Sequence, residues 1–530
     1  MAALMSANLV AIALTGFSII AGILLAPRQP PVIFRILAIW VAVTLIAFSA
    51  PTAGIPIFLI GLALCAAALI SVENKIYLFL AVQFALPSSY SVQVPFPGLN
   101  YLIDLSYDNL LAIILLGPIF FRQILSERPS HLRNVDRFLF AYVVIIAFAS
   151  LRDLPFTSML RETVELFLLI IVPYVAISRT LKSAEQFDSA IKALLIGAAI
   201  VGFIGLISAL RSWNYYTLLP GDVTMGKLFL EYRNGILRVV ATLNKPLLAL
   251  VMASGMVCTI YCVAQNQLSK LRALVLLGVF GFVAFATGSR GGWLGAATIV
   301  GAYFLFIKAS SRLRKLSIMA GLSAVFGLVL YVGVFGADFQ DDYGTFNYRA
   351  ELLRTSLEQI RERPIFGTHN IGQLERFQHL IQGEGIIDLV NIYLEIALYY
   401  GLVGLGTIAV ANIIGIRGGL RALRQLEAKD QQDEIARLRR SQLLLLIAMY
   451  FGFLTMVTTT SGVTYVWNFG VLLLSLVVAQ ARSVFAMSSE SPAPVAIEAE
   501  SPAPALAEPA ESGRSPSGKE YYGARFFRQP

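Results

Sequence analysis

The sequence predicts an all-α, polytopic transmembrane helical bundle of about 12–15 helices, with one large extracytoplasmic loop that contains an amphipathic helix. Three observations predict it. Hydrophobic residues make up 57% of the 530 and charged ones 14%, against roughly 45–50% and about 25% in a soluble chain. Apolar segments near the ~20 residues that cross a bilayer as a helix recur from the first ten residues to about residue 482. Lysine and arginine are dense in some connecting loops and absent from others, as the positive-inside rule requires of a multi-pass chain.

Candidate spans lie at about 8–26, 33–50, 55–71, 76–88, 108–125, 138–150, 163–178 and 190–210. A second group covers about 239–264, 272–288, 291–307, 316–336, 390–416, 442–461 and 463–482. Met1 to Ala7 is uncharged and no A-x-A site precedes Asn8–Ala26, so the first apolar run is expected to be a span and not a cleaved signal. Three cysteines, Cys65, Cys258 and Cys262, all in apolar stretches, exclude a disulfide framework; Cys258 and Cys262 suit helix packing better than a metal site. The formal net charge of +9 sits largely in short loops, where it sets topology and does not call for nucleic acid.

Arg122, Arg128, Arg133 and Arg137 mark one cytoplasmic loop, and Lys308, Arg312, Arg314 and Lys315 a second. Seven basic residues between Arg417 and Arg440 mark a third. Pro87–Tyr107, the hairpin Thr287–Gly292 and the stretch Ala337–Asp388 then face outward. The last is the long hydrophilic insert, with nine acidic residues against five arginines. Within it, Tyr348–Arg363 puts Leu353, Leu357 and Ile360 on one face and Arg354, Glu358 and Arg361 on another before Pro364. This predicts an amphipathic helix over the membrane surface. The expected organisation is a membrane domain at 1–487, with an outer loop at 337–389, and a disordered cytoplasmic tail at 488–530, rich in Pro, Ala and Ser with ESPAP repeated at Glu490 and Glu500.

No P-loop, dinucleotide fingerprint, G-x-S-x-G elbow or zinc spacing is present, so any reaction belongs at the helix mouths. Three constellations could carry it. Gly288-Ser289-Arg290-Gly291-Gly292 puts one arginine on a tight turn between spans, either as a snorkelling side chain or where a phosphate approaches the backbone. Arg233, Arg238 and Lys245 fall on the outer side against the charge trend; guanidinium groups suit a lipid diphosphate, and ion pairs with Asp222 and Glu231 are the competing reading. Where the outer insert re-enters the membrane, helical spacing predicts Asp388, Asn391 and Glu395 on one face, with Glu384 just before them. Carboxylates there imply a polar cavity or structural pairing. Asp341-Asp342, His369 and His379 read as solvated loop and surface residues.

Six segments in order then resemble the O-antigen polymerase and ligase family, in particular polymerases of exopolysaccharide assembly. They are GLNYLIDLSYDNLLAIILL at Gly98–Leu116, LRETVELFLLIIVPYVAISR at Leu160–Arg179 and RNGILRVVATLNKPLLAL at Arg233–Leu250. The others are GSRGGWLGA at Gly288–Ala296, GTFNYRAELLRTSLEQIRERPIFG at Gly344–Gly367 and GEGIIDLVNIYLEIALYYGLVGLG at Gly383–Gly406. The family-like core is about 190–482. The resemblance implies a multi-pass enzyme of the bacterial inner membrane acting, without metal or other cofactor, on undecaprenyl-diphosphate-linked glycans at the outer face. It also implies membrane lipids, a flippase and a chain-length regulator as partners, and no nucleic acid.

By the same resemblance, Arg290, Arg238 and Arg349, with Arg233 beside them, hold the lipid diphosphate. The ligase branch carries His-Asn where this chain has Val390-Asn391. The missing histidine lowers the ligase reading and leaves Asp388, then Glu384, as the expected base, with Asn391 and Glu395 in support. A lipid-linked oligosaccharide transporter would place its charges near the midplane and often show inverted repeats; a non-catalytic export scaffold would not explain arginines at helix mouths.

Overall fold

The computed structural model describes residues 2–27, 71–85, 91–126, 131–214, 231–308 without 234, 345–382, 387–429 and 433–489 without 463, with 45, 61 and 63 singly. The expected spans at 33–50, 55–71 and 316–336, Asp341-Asp342, Glu384 and nearly all of the tail lie outside these residues.

The described chain is an all-α membrane bundle with two small hairpins. Its elements are α1 (Ala2–Leu25), α2 (Val72–Val82), a hairpin of β1 (Ser91–Phe96) and β2 (Leu99–Ser106), and α3 (Tyr107–Leu111), which passes through a π turn into α4 (Gly117–Leu125). Next come α5 (Arg133–Asp153), α6 (Phe156–Leu166), a second π turn (Phe167–Ile171), α7 (Val172–Thr180) and α8 (Ala184–Arg211). A two-residue hairpin, β3 (Tyr232–Arg233) and β4 (Ile236–Leu237), precedes α9 (Lys245–Ala264), α10 (Lys270–Ala286) and α11 (Arg290–Lys308). The long hydrophilic insert holds α12 (Thr345–Glu362), and α13 (Ile392–Lys429), α14 (Glu434–Met456) and α15 (Thr464–Ser489) complete the series. Among the described residues, six helical segments are long and apolar enough to cross a membrane: 108–125, 133–153, 184–211, 245–264, 392–428 and 466–488.

Local chemistry explains the helix starts. Ser183 and Gln186 form a capping box at α8, each side chain bonded to the other residue's backbone N–H. Asn244 caps α9, with Pro246 in its first turn, so this helix begins six residues later than the span expected from residue 239, after the β3–β4 hairpin. α8 is apolar on every side and correspondingly sits buried against α1, α2, α9 and α10. Close approach comes from small residues: a Cβ on Gly295 of α11 would lie 3.0 Å from the Gly452 carbonyl of α14, and one on Gly452 would lie 2.2 Å from Ile299.

The re-entering helix differs from its expected form. α13 is broken at Gly401 (φ 69°, ψ −174°). The loop after α12 repairs the break: Leu402 N–H donates to the Pro364 carbonyl at 2.7 Å, and Thr368 N–H donates to the Leu398 carbonyl at 2.6 Å. Gly367, also left-handed (φ 63°), leaves no room for a Cβ, which would sit 2.2 Å from the Leu398 oxygen. Beyond the break α13 runs to Lys429 and α14 starts at Glu434, so the basic stretch Arg417–Arg440, expected as a loop, is mostly two helix ends. Its Ala, Leu, Arg and Gln residues are good helix formers.

α12 forms where periodicity puts it but shows a different face. Leu352, Thr355, Ser356 and Gln359 are buried, and Leu357 is exposed. Its partner is the insert's own small core of Ile371, Phe377, Leu380, Leu389 and Leu398, in which Gln359 donates to Thr368 Oγ1 at 3.2 Å. A satisfied amide there makes a partly polar face the buried one.

Candidate functional site

Asp388, Glu395 and the Arg290 turn meet around Val457–Gly462, the connection between α14 and α15. Thr458 and Thr459 Oγ1 donate to the Thr455 and Met456 carbonyls, at 2.7 and 3.0 Å, and so satisfy the open C-terminus of α14. Ile392 N–H donates to the Val457 carbonyl at 3.0 Å, Ser461 Oγ donates to Asp388 Oδ1, and Gly462 N–H donates to Glu395 Oε2 at 2.7 Å. From the other side the Arg290 turn reaches the same strip, where a Cβ on Gly291 would fall 2.2 Å from Thr459 Oγ1.

Two helix N-termini therefore adjoin one connection. Ser289 Oγ accepts from Gly292 N–H at 3.2 Å at the start of α11, and Asn391 Oδ1 accepts from Tyr393 and Leu394 N–H at 2.9 and 3.2 Å at the start of α13. Each contributes partial positive charge to the region between them.

Asp388, Asn391 and Glu395 do not share one helical face, because α13 begins only at Ile392. Asp388 precedes the helix and is half-buried; its backbone N–H donates to the Tyr348 hydroxyl at 3.1 Å, and that hydroxyl donates to its carbonyl at 3.2 Å. Burial, then the neighbouring Asp388 charge, pushes the Tyr348 phenol up from its ordinary value. Asn391 is a cap, and Glu395 alone projects from the helix into the bundle.

Arg290, the first residue of α11, is exposed and has no hydrogen bond or ion pair among the described residues. Arg238 lies alongside Gly288, with Nε 3.4 Å from the Thr287 carbonyl, and Nη1 pairs with Glu231 Oε2 at 2.6 Å. Lys245 pairs with the other Glu231 oxygen, so ion pairing accounts for part of this basic cluster; Asp222 lies outside the described residues. Burial raises the Glu231 pKa, but the hydrogen bond and charge of Lys245, joined by Arg238, outweigh it and hold the carboxyl below its usual range. Arg349 follows Tyr348 on α12 and is half-buried. Arg233 stands in β3 opposite Ile236, and its side chain lies outside the described residues.

Geometry also reassigns the motif glycines. Gly291 meets Thr459, Gly292 meets Ala249 and Pro246, and Gly295 meets Gly452, so these three serve packing and offer no open backbone to a phosphate. His369 is not a free surface residue: its backbone N–H donates to Asp153 Oδ2 at 2.9 Å, and its ring lies 5.3 Å from that of Tyr399.

Two groups of residues escaped sequence reasoning. Thr458-Thr459-Thr460-Ser461-Gly462 between two spans was a legible polar run, although nothing local tied it to Asp388. Glu162, Glu165, Tyr142, Tyr400 and Trp467 line a cavity of about 190 Å³ with Glu395, brought together from α5, α6, α13 and α15. Only tertiary contact reveals that set.

Residues 273–409, about a quarter of the chain, match the family model described as O-Antigen ligase. The matched stretch contains Arg290, Arg349, Asp388, Asn391 and Glu395, whereas Arg238, Ser461 and Glu162 lie outside it. A search of curated proteins finds no match to the chain.

Proposed function

We propose that this multi-pass membrane protein, O-antigen-ligase-like over residues 273–409, polymerises undecaprenyl-diphosphate-linked oligosaccharide repeat units into a surface or exported polysaccharide. The family match supports a glycan-transferring membrane enzyme; the polymerase activity and the lipid carrier are our reading. The observation that carries it is the shared seat of the Arg290 turn and Asp388 on Thr459–Ser461, with Arg238 against Gly288.

In this mechanism Arg290, with Arg238 and Arg349, holds the diphosphate of the donor. An acceptor sugar hydroxyl attacks the donor's anomeric carbon while Asp388 takes its proton. The bond from that carbon to the phosphate oxygen breaks, and the lipid diphosphate leaves with the electron pair. Negative charge grows on the leaving group, so positive groups placed beforehand stabilise the transition state more than the ground state. Base assistance of this kind contributes roughly 10²–10⁴-fold. Asp388 accepts a hydrogen bond from Ser461, which orients its carboxylate. Glu384 is the alternative base, and Arg233 a further diphosphate contact.

Lysine keeps the charge of Arg290 but loses the planar two-bond grip. Arg290→Lys is therefore expected to abolish or strongly reduce long-chain polysaccharide, read as a gel ladder from cells, while the protein still accumulates in the membrane. Asp388→Asn should do the same, and the double variant Arg290→Gln with Asp388→Asn should stay inactive. Normal polymer from a well-folded Arg290→Lys protein would refute the diphosphate role, and recovery in the double variant would mean a structural pair.

The family description itself favours a second reading, ligation of a finished glycan to a lipid or other acceptor. Transfer to such an acceptor without lengthening of the lipid-linked chains would establish that reading instead. Either reaction belongs to the extracytoplasmic face of the inner membrane, with the outer insert outside and the tail inside. Cysteine at the exposed Gln373 is the suitable reporter. It should react with an impermeant thiol reagent in intact, outer-membrane-permeabilised cells, and protection there would reverse the orientation.

A further inference from the structure

We infer that the cavity beside Glu395 is a binding site for one uncharged or amino-sugar ring, and that it seats the acceptor end of the glycan; the second clause rests on the proposed transfer function. The cavity measures about 190 Å³, below the roughly 300–1,000 Å³ of sites for drug-sized ligands and in the size class of a single sugar ring.

Its chemistry is that of a polyol site. Tyr142 and Trp467 line it with their ring centroids 6.3 Å apart and tilted by 43°, giving an angled aromatic wall. The C–H face of a pyranose packs on such a wall. Glu162 is already oriented, since Oε1 accepts from the Tyr400 hydroxyl at 2.5 Å and Oε2 from Ser150 Oγ at 2.7 Å. Each oxygen keeps further acceptor capacity for a sugar hydroxyl. Glu395 is held through Oε2 by Gly462 N–H, while Oε1 has no hydrogen bond among the described residues. Glu165 is exposed at the rim.

Among the described residues no lysine, arginine or histidine lines the cavity, so a phosphate or uronate finds no cationic partner there. Nor do these carboxylates gather into a group that could hold a metal ion. The π turn Phe167–Ile171 supplies Leu169 to the wall, and such turns recur at functional sites because the extra residue redirects side chains. Position gives the site its role. Glu395 binds Gly462 and Asp388 binds Ser461, so adjacent residues of one connection link the cavity to the proposed base. Anion and polyol thus have separate seats.

The test is a titration of the purified full-length protein in detergent, following tryptophan fluorescence, with Trp467→Phe to identify the signal among the four tryptophans. The probes are methyl β-glucoside, glucosamine, glucuronate and ethanolamine. The expected result is a saturable change with methyl β-glucoside or glucosamine, lost in Trp467→Phe. Binding should be about tenfold weaker in Glu395→Gln, where a carboxyl acceptor becomes an amide, and blocked by Ile146→Phe, which fills the cavity. Glucuronate should bind more weakly than either sugar. Melting curves identify variants that have lost the fold, and a folded variant of either kind suffices. No saturable response up to roughly 100 mM, equal binding of glucuronate, or a response to ethanolamine alone would overturn the site. The readout needs no donor or turnover. Saturable sugar binding together with normal polymer from Arg290→Lys would defeat the proposed chemistry and leave the cavity standing; no sugar binding with polymer lost in Arg290→Lys would do the reverse.

Discussion

Two groups of charged residues, one around Asp136 on α5 and one at the start of α11, use the same kinds of side chain to opposite effect. Near the start of α5, Asp136 accepts hydrogen bonds from Arg179 at 2.9 Å, from Tyr174 at 2.7 Å and from Arg482, whose other nitrogen reaches Ser178 Oγ at 3.0 Å. All three charged side chains are less than a tenth exposed. At the start of α11, Arg290 is exposed, and Arg238, beside Gly288, shares a half-exposed Glu231 with Lys245. Buried charges persist when they are paired and hydrogen-bonded, so the first cluster is a structural tie. An exposed arginine on a rigid helix start keeps its donors available to a ligand.

Breaking that tie should have the largest effect. Asp136→Ala strands two buried guanidinium groups, and the loss of one member of such a network typically costs about 3–5 kcal/mol. The expected outcome is a large fall in melting temperature in detergent and little accumulated protein. Arg290→Lys in the same assay should leave stability within roughly 0.5 kcal/mol, as surface changes away from tight packing usually do, while polymer is lost. Equal destabilisation by the two variants would erase the distinction between the two groups.

The smallest effect is expected at Glu231. Its folded pKa is lowered, so its ion pairs stabilise the 231–238 hairpin above the unfolded carboxylate pKa, and that contribution is lost as pH falls through the lowered folded value. Hydrogen exchange of the hairpin amides should therefore quicken, relative to the intrinsic rate, on the acid side. Glu231→Gln should flatten that dependence. Because the carboxyl is 46% exposed, solvent screens the pairs and the change should be modest. An unaltered pH profile in Glu231→Gln would show that the pairs do not hold the hairpin.

Much of the fold was legible in the sequence because it depends on local properties. Hydropathy and length placed the described spans, and the period of Tyr348–Arg363 placed α12, which needs only neighbouring residues in a helix. Capping residues such as Ser183 and Asn244 marked true starts that hydropathy alone blurred. Where local preference meets a distant partner, the prediction fails. The buried face of α12 follows from an insert core that includes Leu398, and the break in α13 follows from Gly401 meeting Pro364 and Ile365.

The candidate site divides along the same line. Sequence by itself determined which residue types could act: an arginine on a glycine-flanked turn, basic residues against the charge trend, and carboxylates where the long hydrophilic insert rejoins the bundle. Tertiary structure decided which of them meet. Asp388 finds Ser461 across 73 residues, Glu162 and Tyr400 meet across 238, and the motif glycines turn out to face packed neighbours and not an open groove. A residue's charge and helix preference belong to the residue and its neighbours. Its partner depends on how distant helices pack, and that can be read only once the chain has folded.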